Sequence, residues 1–441
     1  MKFVFFHLMP YPYLPDDFDE RYASPSLDFP NKHFDPKLGN KLYHRYLDEL
    51  EYAEKLGFDG IAVNEHHQTA YGLMPSPNIM AAALARRTST AKVMVLGNAI
   101  GIRDHPLRVA EEIAMLDHIT DGRIVSGFVR GIGWEYYAHS INPTRSRDRF
   151  NEAHDLIVKA WTTDEVFQWV SPNYEFRYVN VWPRPLQDPH PPIYIPGAGS
   201  TETMKFCAEK RYTYMSVYAP TPVVKRWFDG YRSAANDLGY EPDPEKLGLS
   251  IPVYVAETDE QAHAEGRQHI EWLYHKGLKQ GLERVMPPGY TSLSSLRGML
   301  MGRGKAPNEY TYEEIIDNGM AVVGSPDTVG RALRGARGRA RLRPGDRAHG
   351  RRRHAPLPDG EEHGALRHAG HARPAPALGR GAGADRRLVT DIGYVSSRVR
   401  DAQEDAAGPL NPRAMIDATI FALLVGAVAT PISWWGLSRF G

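Results

Sequence analysis

The chain has 441 residues, of which 42% are hydrophobic and 24% charged, and this ordinary globular composition excludes a wholly disordered, collagen-like or disulfide-stapled protein. Its 53 basic and 53 acidic residues balance, and a single cysteine, Cys207, excludes an intrachain disulfide. The N-terminal residues lack the charged and apolar regions of a signal peptide, so a cytoplasmic protein is expected.

Seven short apolar runs alternate with amphipathic helical patterns over residues 1–330. Strands are predicted at Lys2–Leu8, Gly57–Val63, Lys92–Asn98, Arg123–Val129, Pro192–Pro196, Tyr212–Val217 and Leu249–Val255. Helices are predicted at Leu42–Leu56, Leu107–Ile119, Arg149–Trp161 and Val223–Leu238, and an alanine-rich stretch, Asn78–Arg87, precedes the third strand. Such alternation is typical of an α/β fold with a parallel sheet covered on both faces, and seven units favour a (β/α)₈ TIM barrel. A doubly wound open sheet competes, but its glycine-rich turn does not follow the first strand.

The C-terminal part of the chain has a different composition. Residues 331–390 contain 15 Arg, no Lys and 5 acidic residues, which leaves 38 of the 53 basic and 48 of the 53 acidic residues for the rest of the chain. Residues 334–413, rich in Arg, Ala, Gly and Pro, are predicted to be disordered because they offer too little apolar surface to fold. Within residues 414–441, Ala418–Ser438 has 21 residues without a charge and is a candidate transmembrane helix.

Barrel enzymes carry their chemistry at the carboxyl ends of the strands, and polar residues follow two of the predicted strands. His66 and His67 follow the second strand, where an imidazole can act as an acid or a base. Either ring could instead be a buried, hydrogen-bonded side chain, and a shared metal ion is disfavoured because neighbouring strand residues point to opposite faces. Asn98 ends the third strand with an amide suited to the edge of a heterocycle, or it is a simple turn residue.

An anion site is predicted from the fourth and fifth strand ends. Arg130 follows the fourth strand, and it either reaches an anionic ligand or forms an ion pair with a neighbouring carboxylate. The turn containing Gly199 leads into a helix with hydroxyls at Ser200 and Thr203. Backbone N–H groups and the helix dipole at such a turn favour phosphate, although plain capping of the helix would explain the same residues. Together these residues suit a phosphorylated heterocyclic cofactor, and no metal site is expected.

Several stretches resemble the bacterial-luciferase-like flavin-dependent monooxygenases and oxidoreductases. They cover about residues 1–333 and comprise Met1–Phe3, Gly57–Gly60, Glu65–His67, His105–Asp117, Gly122–Gly131, Trp182–Pro185, Pro192–Thr203 and Val323–Val329. The resemblance implies a (β/α)₈ barrel that binds reduced FMN from a separate, transient flavin reductase and uses O₂ to oxygenate a small organic substrate. Some relatives use the deazaflavin F420 for hydride transfer instead, and homodimers are common in the family.

The resemblance also assigns roles to the strand-end residues. It places His66 beside the reactive flavin carbon, where it would stabilise a peroxide anion. Asn98 and Ala99 would lie against the isoalloxazine ring. Arg130 would lie near the flavin phosphate, and Ser200 and Thr203, after the turn at Gly199, would bind it.

The family pattern stops where the composition changes, because an eighth strand and helix should follow the Gly-Ser-Pro-Asp segment. Asp359–Ala372 can be back-translated with one choice of synonymous codons, and that DNA can then be translated again starting one base later. The result is Thr-Glu-Lys-Asn-Met-Glu-Leu-Phe-Ala-Thr-Gln-Val-Met-Pro, an amphipathic helix that ends at proline. A frameshift near Ala332–Arg347 is therefore our hypothesis. It predicts a barrel lacking a proper eighth β/α unit, and a catalytically impaired product is one alternative. Nucleic-acid binding is not expected, since the basic tail has no aromatic residues to stack on bases.

Overall fold

The computed structural model describes residues 2–293, 295–297, 305–341 and 420–425. The strands are β1 Lys2–Phe6, β2 Gly60–Val63, β3 Lys92–Ala99, β4 Ile124–Val129, β5 Phe167–Val170, β6 Glu175–Val179, β7 Ile193–Gly197, β8 Thr213–Val217, β9 Leu247–Val255, β10 Val322–Gly324 and β11 Ile420–Val425. The α-helices are α1 Phe18–Arg21, α2 Pro36–Lys55, α3 Pro77–Arg87, α4 Leu107–Ile119, α5 Gly133–Ala138, α6 Ser146–Thr162, α7 Thr201–Lys210, α8 Thr221–Asp237, α9 Asp259–Glu271, α10 Leu282–Val285, α11 Tyr312–Asp317 and α12 Pro326–Arg341. A π-helical turn, Trp272–Gly277, continues α9.

Seven parallel strands form most of a closed barrel in the order β1-β2-β3-β4-β7-β8-β9. Residues within the strands alternate between the inside of the barrel and the surrounding helices, as the two-residue repeat of a strand requires. In β1, Val4 and Phe6 belong to one apolar cluster inside the barrel, while Phe3 and Phe5 belong to the cluster that packs against the helices. All seven strands predicted from the sequence are present, and the closed order excludes the doubly wound alternative.

The eighth position of the barrel is taken by β11. This strand runs antiparallel to both neighbours, with Val4 of β1 opposite Leu423 and Ile251 of β9 opposite Ala422. No parallel eighth strand follows α12 within the described part of the chain. The barrel nevertheless closes, which a simple truncation would not permit.

Two expectations for the C-terminal part need revision. The disordered segment was expected from residue 334, but α12 continues to Arg341, because alanine and arginine are good helix formers. The candidate transmembrane helix at 418–438 includes Ile420–Val425, and these residues form the strand β11. Residues 342–419 and 426–441 lie outside the described part of the chain. Among the described helices, none is long and apolar enough to cross a membrane.

A small hairpin is among the elements not predicted from the sequence. Strands β5 and β6 form a separate antiparallel hairpin between α6 and β7, with Trp169 opposite Phe176. Both strands consist mostly of exposed or half-buried residues, so they lack the continuous apolar run that identifies a buried barrel strand.

Candidate active site

The residues predicted to carry chemistry lie at the carboxyl ends of four neighbouring barrel strands. His66 and His67 follow β2, Asn98 and Ala99 end β3, and Arg130 follows β4. Gly199 and Ser200 follow β7, and Thr203 lies in the first turn of α7. Because β2, β3, β4 and β7 pair in that order, these residues share one mouth of the barrel.

The two adjacent histidines have different partners. His66 Nδ1 lies 3.1 Å from Glu135 Oε1, a carboxylate of α5 that is only 1% exposed. His67 Nε2 lies 2.6 Å from Glu65 Oε1. The pair therefore diverges toward two carboxylates, and no group of three His, Cys, Asp or Glu side chains in the described residues is arranged to hold a metal ion.

Glu65 ties the ends of β2 and β3 together. Its second oxygen accepts a hydrogen bond from the Ala99 backbone N–H at 3.0 Å, and the Arg103 guanidinium lies 2.7 Å from its first oxygen. Burial by itself raises the pKa of this carboxyl, but the hydrogen bond with His67 and the charge of Arg103 outweigh burial and hold the pKa below its ordinary value. An ionised Glu65 thus fixes the backbone at Ala99, where β3 reaches the mouth of the barrel.

Asn98 presents an amide that the protein does not satisfy. The side chain is fully buried, and neither its Oδ1 nor its Nδ2 has a hydrogen-bond partner among the described residues. The Oδ1 of the buried Asn64, at the end of β2, is likewise without a partner within the described residues. Leaving a buried polar atom unpaired costs about 1–3 kcal/mol. A bound ligand could supply the missing hydrogen bonds, and the polar edge of a heterocycle offers the donors and acceptors that these two amides need.

The start of α7 forms a cradle suited to a phosphate group. Ser200 caps the helix, its hydroxyl accepting from the Thr203 backbone N–H at 3.3 Å. From α6, Arg147 donates to the hydroxyls of Ser200 at 3.1 Å and Thr203 at 3.4 Å. At Gly199, φ is +92°, and a Cβ would lie 2.1 Å from the Trp227 ring, so only glycine fits this turn. A guanidinium, two hydroxyls and a helix N-terminus converge there.

Arg147 is the cation that sequence reasoning missed. Burial, and then the nearby charge of Arg130, lower the pKa of Arg147 to about 10, which indicates a site where positive charge is concentrated and only partly solvated. Arg147 lies at the start of α6, two residues after Arg145, and two arginines near the start of a helix are typical of an exposed helix face. The local sequence therefore does not distinguish Arg147 from a surface residue.

Arg130, the predicted phosphate ligand, lies beside the cradle rather than on its hydroxyls. Its guanidinium stacks over the Tyr290 ring at 3.7 Å and donates to the Tyr290 carbonyl oxygen and to Ser146 Oγ. The ion pair that was the alternative interpretation is not found with any described carboxylate. Arg130 therefore contributes its field to the cradle, while Arg147 makes the contacts.

A carboxylate completes the surroundings of the cradle. Glu202 accepts hydrogen bonds from the hydroxyls of Ser200, Ser292 and Ser295 at 2.7, 2.7 and 2.5 Å. Burial by itself raises the pKa of Glu202, but these hydroxyl bonds outweigh it and hold the pKa at about 2. Glu202 thereby holds Ser292 and Ser295 against the start of α7.

Comparison with known proteins gives one matching family. The model described as luciferase-like monooxygenase matches residues 29–341, which is more than half of the chain. The 3,6-diketocamphane 1,6-monooxygenase of Pseudomonas putida is 24% identical over 311 residues, which cover 63% of this chain and 78% of that protein. A solved structure of its oxygenating constituent, described as a type II Baeyer-Villiger monooxygenase in complex with FMN, aligns with a TM-score of 0.52 at 23% identity, covering 68% of this chain and 84% of that one.

Two further solved structures share the fold. The monooxygenase RslO1 of Streptomyces bottropensis aligns with a TM-score of 0.57 and 26% identity, covering 77% of this chain and 89% of that one. An F420-dependent secondary alcohol dehydrogenase aligns with a TM-score of 0.53 at 15% identity, over 67% of this chain and 87% of that one. At such low identity, the second likeness concerns the fold alone.

Proposed function

Since the chain belongs to the luciferase-like monooxygenase family, a family of oxidoreductases, we propose that it is a flavin-dependent monooxygenase that uses reduced FMN and O₂ to oxygenate a small organic substrate. The observation that carries this proposal is the cradle of Arg147, Ser200 and Thr203 on the same barrel mouth as the unsatisfied amide of Asn98. A phosphate site and a heterocycle site at one mouth match the two ends of FMN.

Different residues of the barrel mouth would bind the phosphate and the ring of FMN. Arg147, Ser200 and Thr203 would hold the phosphate, with Gly199 allowing the turn to approach it and Arg130 adding positive field. Asn98 would pair with the polar edge of the ring, while Ala99, held by Glu65, would present a fixed backbone beside it. Bound reduced flavin supplies the two electrons that O₂ activation requires. His66 is the residue we assign to proton handling at the reacting centre.

Cofactor titration tests the proposal and separates it from its alternative. The purified chain is titrated without oxygen with reduced FMN, with reduced riboflavin and with reduced F420, and binding is followed by flavin fluorescence and calorimetry. The proposal expects FMN to bind more tightly than riboflavin, because only FMN carries the phosphate. Selective binding of F420 would favour a hydride-transferring oxidoreductase, and no binding of any of the three would contradict both assignments.

We further infer three properties that accompany such an oxygenase. A separate flavin reductase would deliver the reduced FMN, as the description of the Pseudomonas protein as an oxygenating constituent suggests for that system. The chain would work in the cytoplasm. It would form a homodimer, and the exposed apolar side chains Ile79 on α3 and Met115 and Ile119 on α4 would be covered by a second copy. A monomer in light scattering at micromolar concentration would contradict the dimer.

We also propose that the reading frame of the coding DNA changes near Ala332–Arg347. Residues 1–333 would then be the native barrel domain, and the residues after the change would come from another reading frame. The unlike composition of residues 331–390 and the antiparallel β11 in the eighth position support this view. Reading the DNA in the alternative frame from this point should give a parallel eighth strand and then the helix ending at proline. Absence of such a strand in that frame would contradict the proposal.

A further inference from the structure

The contact between His66 and Glu135 carries an inference about how His66 handles protons. Glu135 lies on α5, directly after the turn that follows β4, whereas His66 follows β2, so the contact joins two strand ends 69 residues apart in the chain. Both side chains are well buried, with 11% of His66 and 1% of Glu135 exposed. A contact of 3.1 Å with little competing water fixes the orientation of the imidazole ring.

Both oxygens of Glu135 are occupied. While Oε1 faces His66 Nδ1, Oε2 accepts a hydrogen bond from the Ile132 backbone N–H at 2.7 Å. The carboxylate is thereby held by the first turn of its own helix and cannot rotate away from His66. Because Oε2 already accepts from a backbone N–H, we take Oε1 as an acceptor too, which places the hydrogen between the two side chains on His66 Nδ1.

The second nitrogen of the ring, His66 Nε2, has no hydrogen-bond partner within the described residues. The ring lies between the buried aromatic side chains of Tyr71, at 4.9 Å between ring centroids, and Trp134, at 6.0 Å. His67 differs on this point, because its Nε2 is taken by Glu65 at 2.6 Å. Of the two neighbouring histidines, His66 is therefore the one that presents an unpaired Nε2 at the barrel mouth.

We propose that Glu135 is a positioning residue that keeps His66 in the tautomer with hydrogen on Nδ1, so that Nε2 accepts a proton from the group bound in the mouth. This rests on the proposed function for the identity of that group. The proton moves from the bound group to Nε2, and the charge of the resulting imidazolium is balanced by the Glu135 carboxylate on its far side. In this arrangement the His66 ring stabilises an anion after it has taken up a proton at Nε2, which sharpens the expectation drawn from the sequence.

The test uses the ring nitrogens of the full-length protein without cofactor. The chain is labelled with ¹⁵N-histidine, and the His66 signals are assigned by their loss in His66→Gln. At neutral pH the wild-type protein should show a protonated Nδ1 and a bare Nε2. Glu135→Gln, which matches the carboxylate in shape but not in charge, should move His66 toward a mixture of tautomers. Glu65→Gln, the matched control, should alter the His67 signals and leave those of His66 unchanged.

Two results would overturn the proposal: a wild-type His66 with hydrogen on Nε2, or the same His66 tautomer in wild type and Glu135→Gln. The wild-type measurement stands even if a variant fails to fold. Affinity for FMN is measured in parallel and should change less than about threefold in Glu135→Gln, because Glu135 does not contact the phosphate cradle. Loss of FMN binding by the wild-type chain would instead refute the proposed function while leaving the tautomer result intact.

Discussion

Replacing Arg147 by methionine separates phosphate binding from ring binding in one experiment. Methionine keeps an unbranched apolar side chain beside α7 but removes the guanidinium that contacts Ser200 and Thr203. In the complex, the guanidinium would turn its donors to the flavin phosphate. The substitution should therefore weaken FMN binding and leave riboflavin binding unchanged, since riboflavin has no phosphate.

The expected magnitude follows from the contacts that are exchanged. A hydrogen bond to a charged group contributes about 1.5–3 kcal/mol, and Arg147 can direct two of them at a phosphate. Its present bonds to Ser200 and Thr203, at 3.1 and 3.4 Å, are lost in exchange, so we expect a net change of about 3 kcal/mol. At 1.4 kcal/mol per factor of ten, this is about a hundredfold rise in Kd for FMN.

Calorimetric titration with FMN and riboflavin measures this change, and Arg145→Met provides the control. Arg145 lies two residues away, is exposed and donates to the Pro172 carbonyl oxygen, outside the cradle. The pH dependence gives a second arm. Because the pKa of Arg147 is lowered to about 10, FMN affinity should fall as pH rises through 10, where the free protein loses that proton. An equal loss of FMN and riboflavin binding in Arg147→Met, or no loss of either, would refute the assignment.

Three further predictions concern stability and accessibility. Cys207 is fully buried and burial raises the pKa of its thiol, so a thiol reagent at pH 8 should leave the folded chain unlabelled and react after denaturation; rapid labelling of the native chain would contradict the described packing. Glu49→Gln breaks a buried cluster with His7 at 2.9 Å and Arg45 at 2.7 Å, and urea unfolding should show a loss of about 3 kcal/mol, whereas no loss would mean that the cluster is not formed. The pKa of Glu202 is held at about 2, so its carboxylate stabilises the folded chain above the unfolded pKa, and this stabilisation is lost as pH falls toward 2. Glu202→Gln should therefore lose less stability than the wild type over this pH range in acid unfolding. Identical acid-unfolding curves for the two proteins would contradict this role of Glu202.

The barrel strands were predictable because each is a short apolar run followed by an amphipathic helix, and this pattern can be recognised in the sequence alone. His66 and Asn98 could be found for the same reason, since each stands where an apolar run ends. Arg147 could not be found in this way, because its role depends on α6 packing against α7, and local sequence spacing does not predict that contact. Glu135 was missed similarly: only the closed barrel sets α5 beside the end of β2.

The sequence and packing of α12 bear on the reading-frame proposal. An apolar pocket of about 480 Å³, open to solvent on one side, lies between α8, β9 and α12, and Val224, Phe228, Leu249, Ile251 and Leu333 are among its lining residues. On α12, Val329 and Leu333 are buried at the four-residue spacing of a core-facing helix.

Continuing that spacing from Leu333 leads to Ala336, Arg337 and Ala340, and the sequence of α12 after Leu333 contains only Arg, Gly and Ala. In the sequence, the apolar spacing of α12 therefore ends at Leu333, before the eighth barrel strand should begin. A helix selected to pack on β9 would carry large apolar residues for one or two further turns. The end of the apolar spacing and the change of composition, which begins at residue 331, thus fall close together, at the start of the stretch Ala332–Arg347 where we propose the change of reading frame.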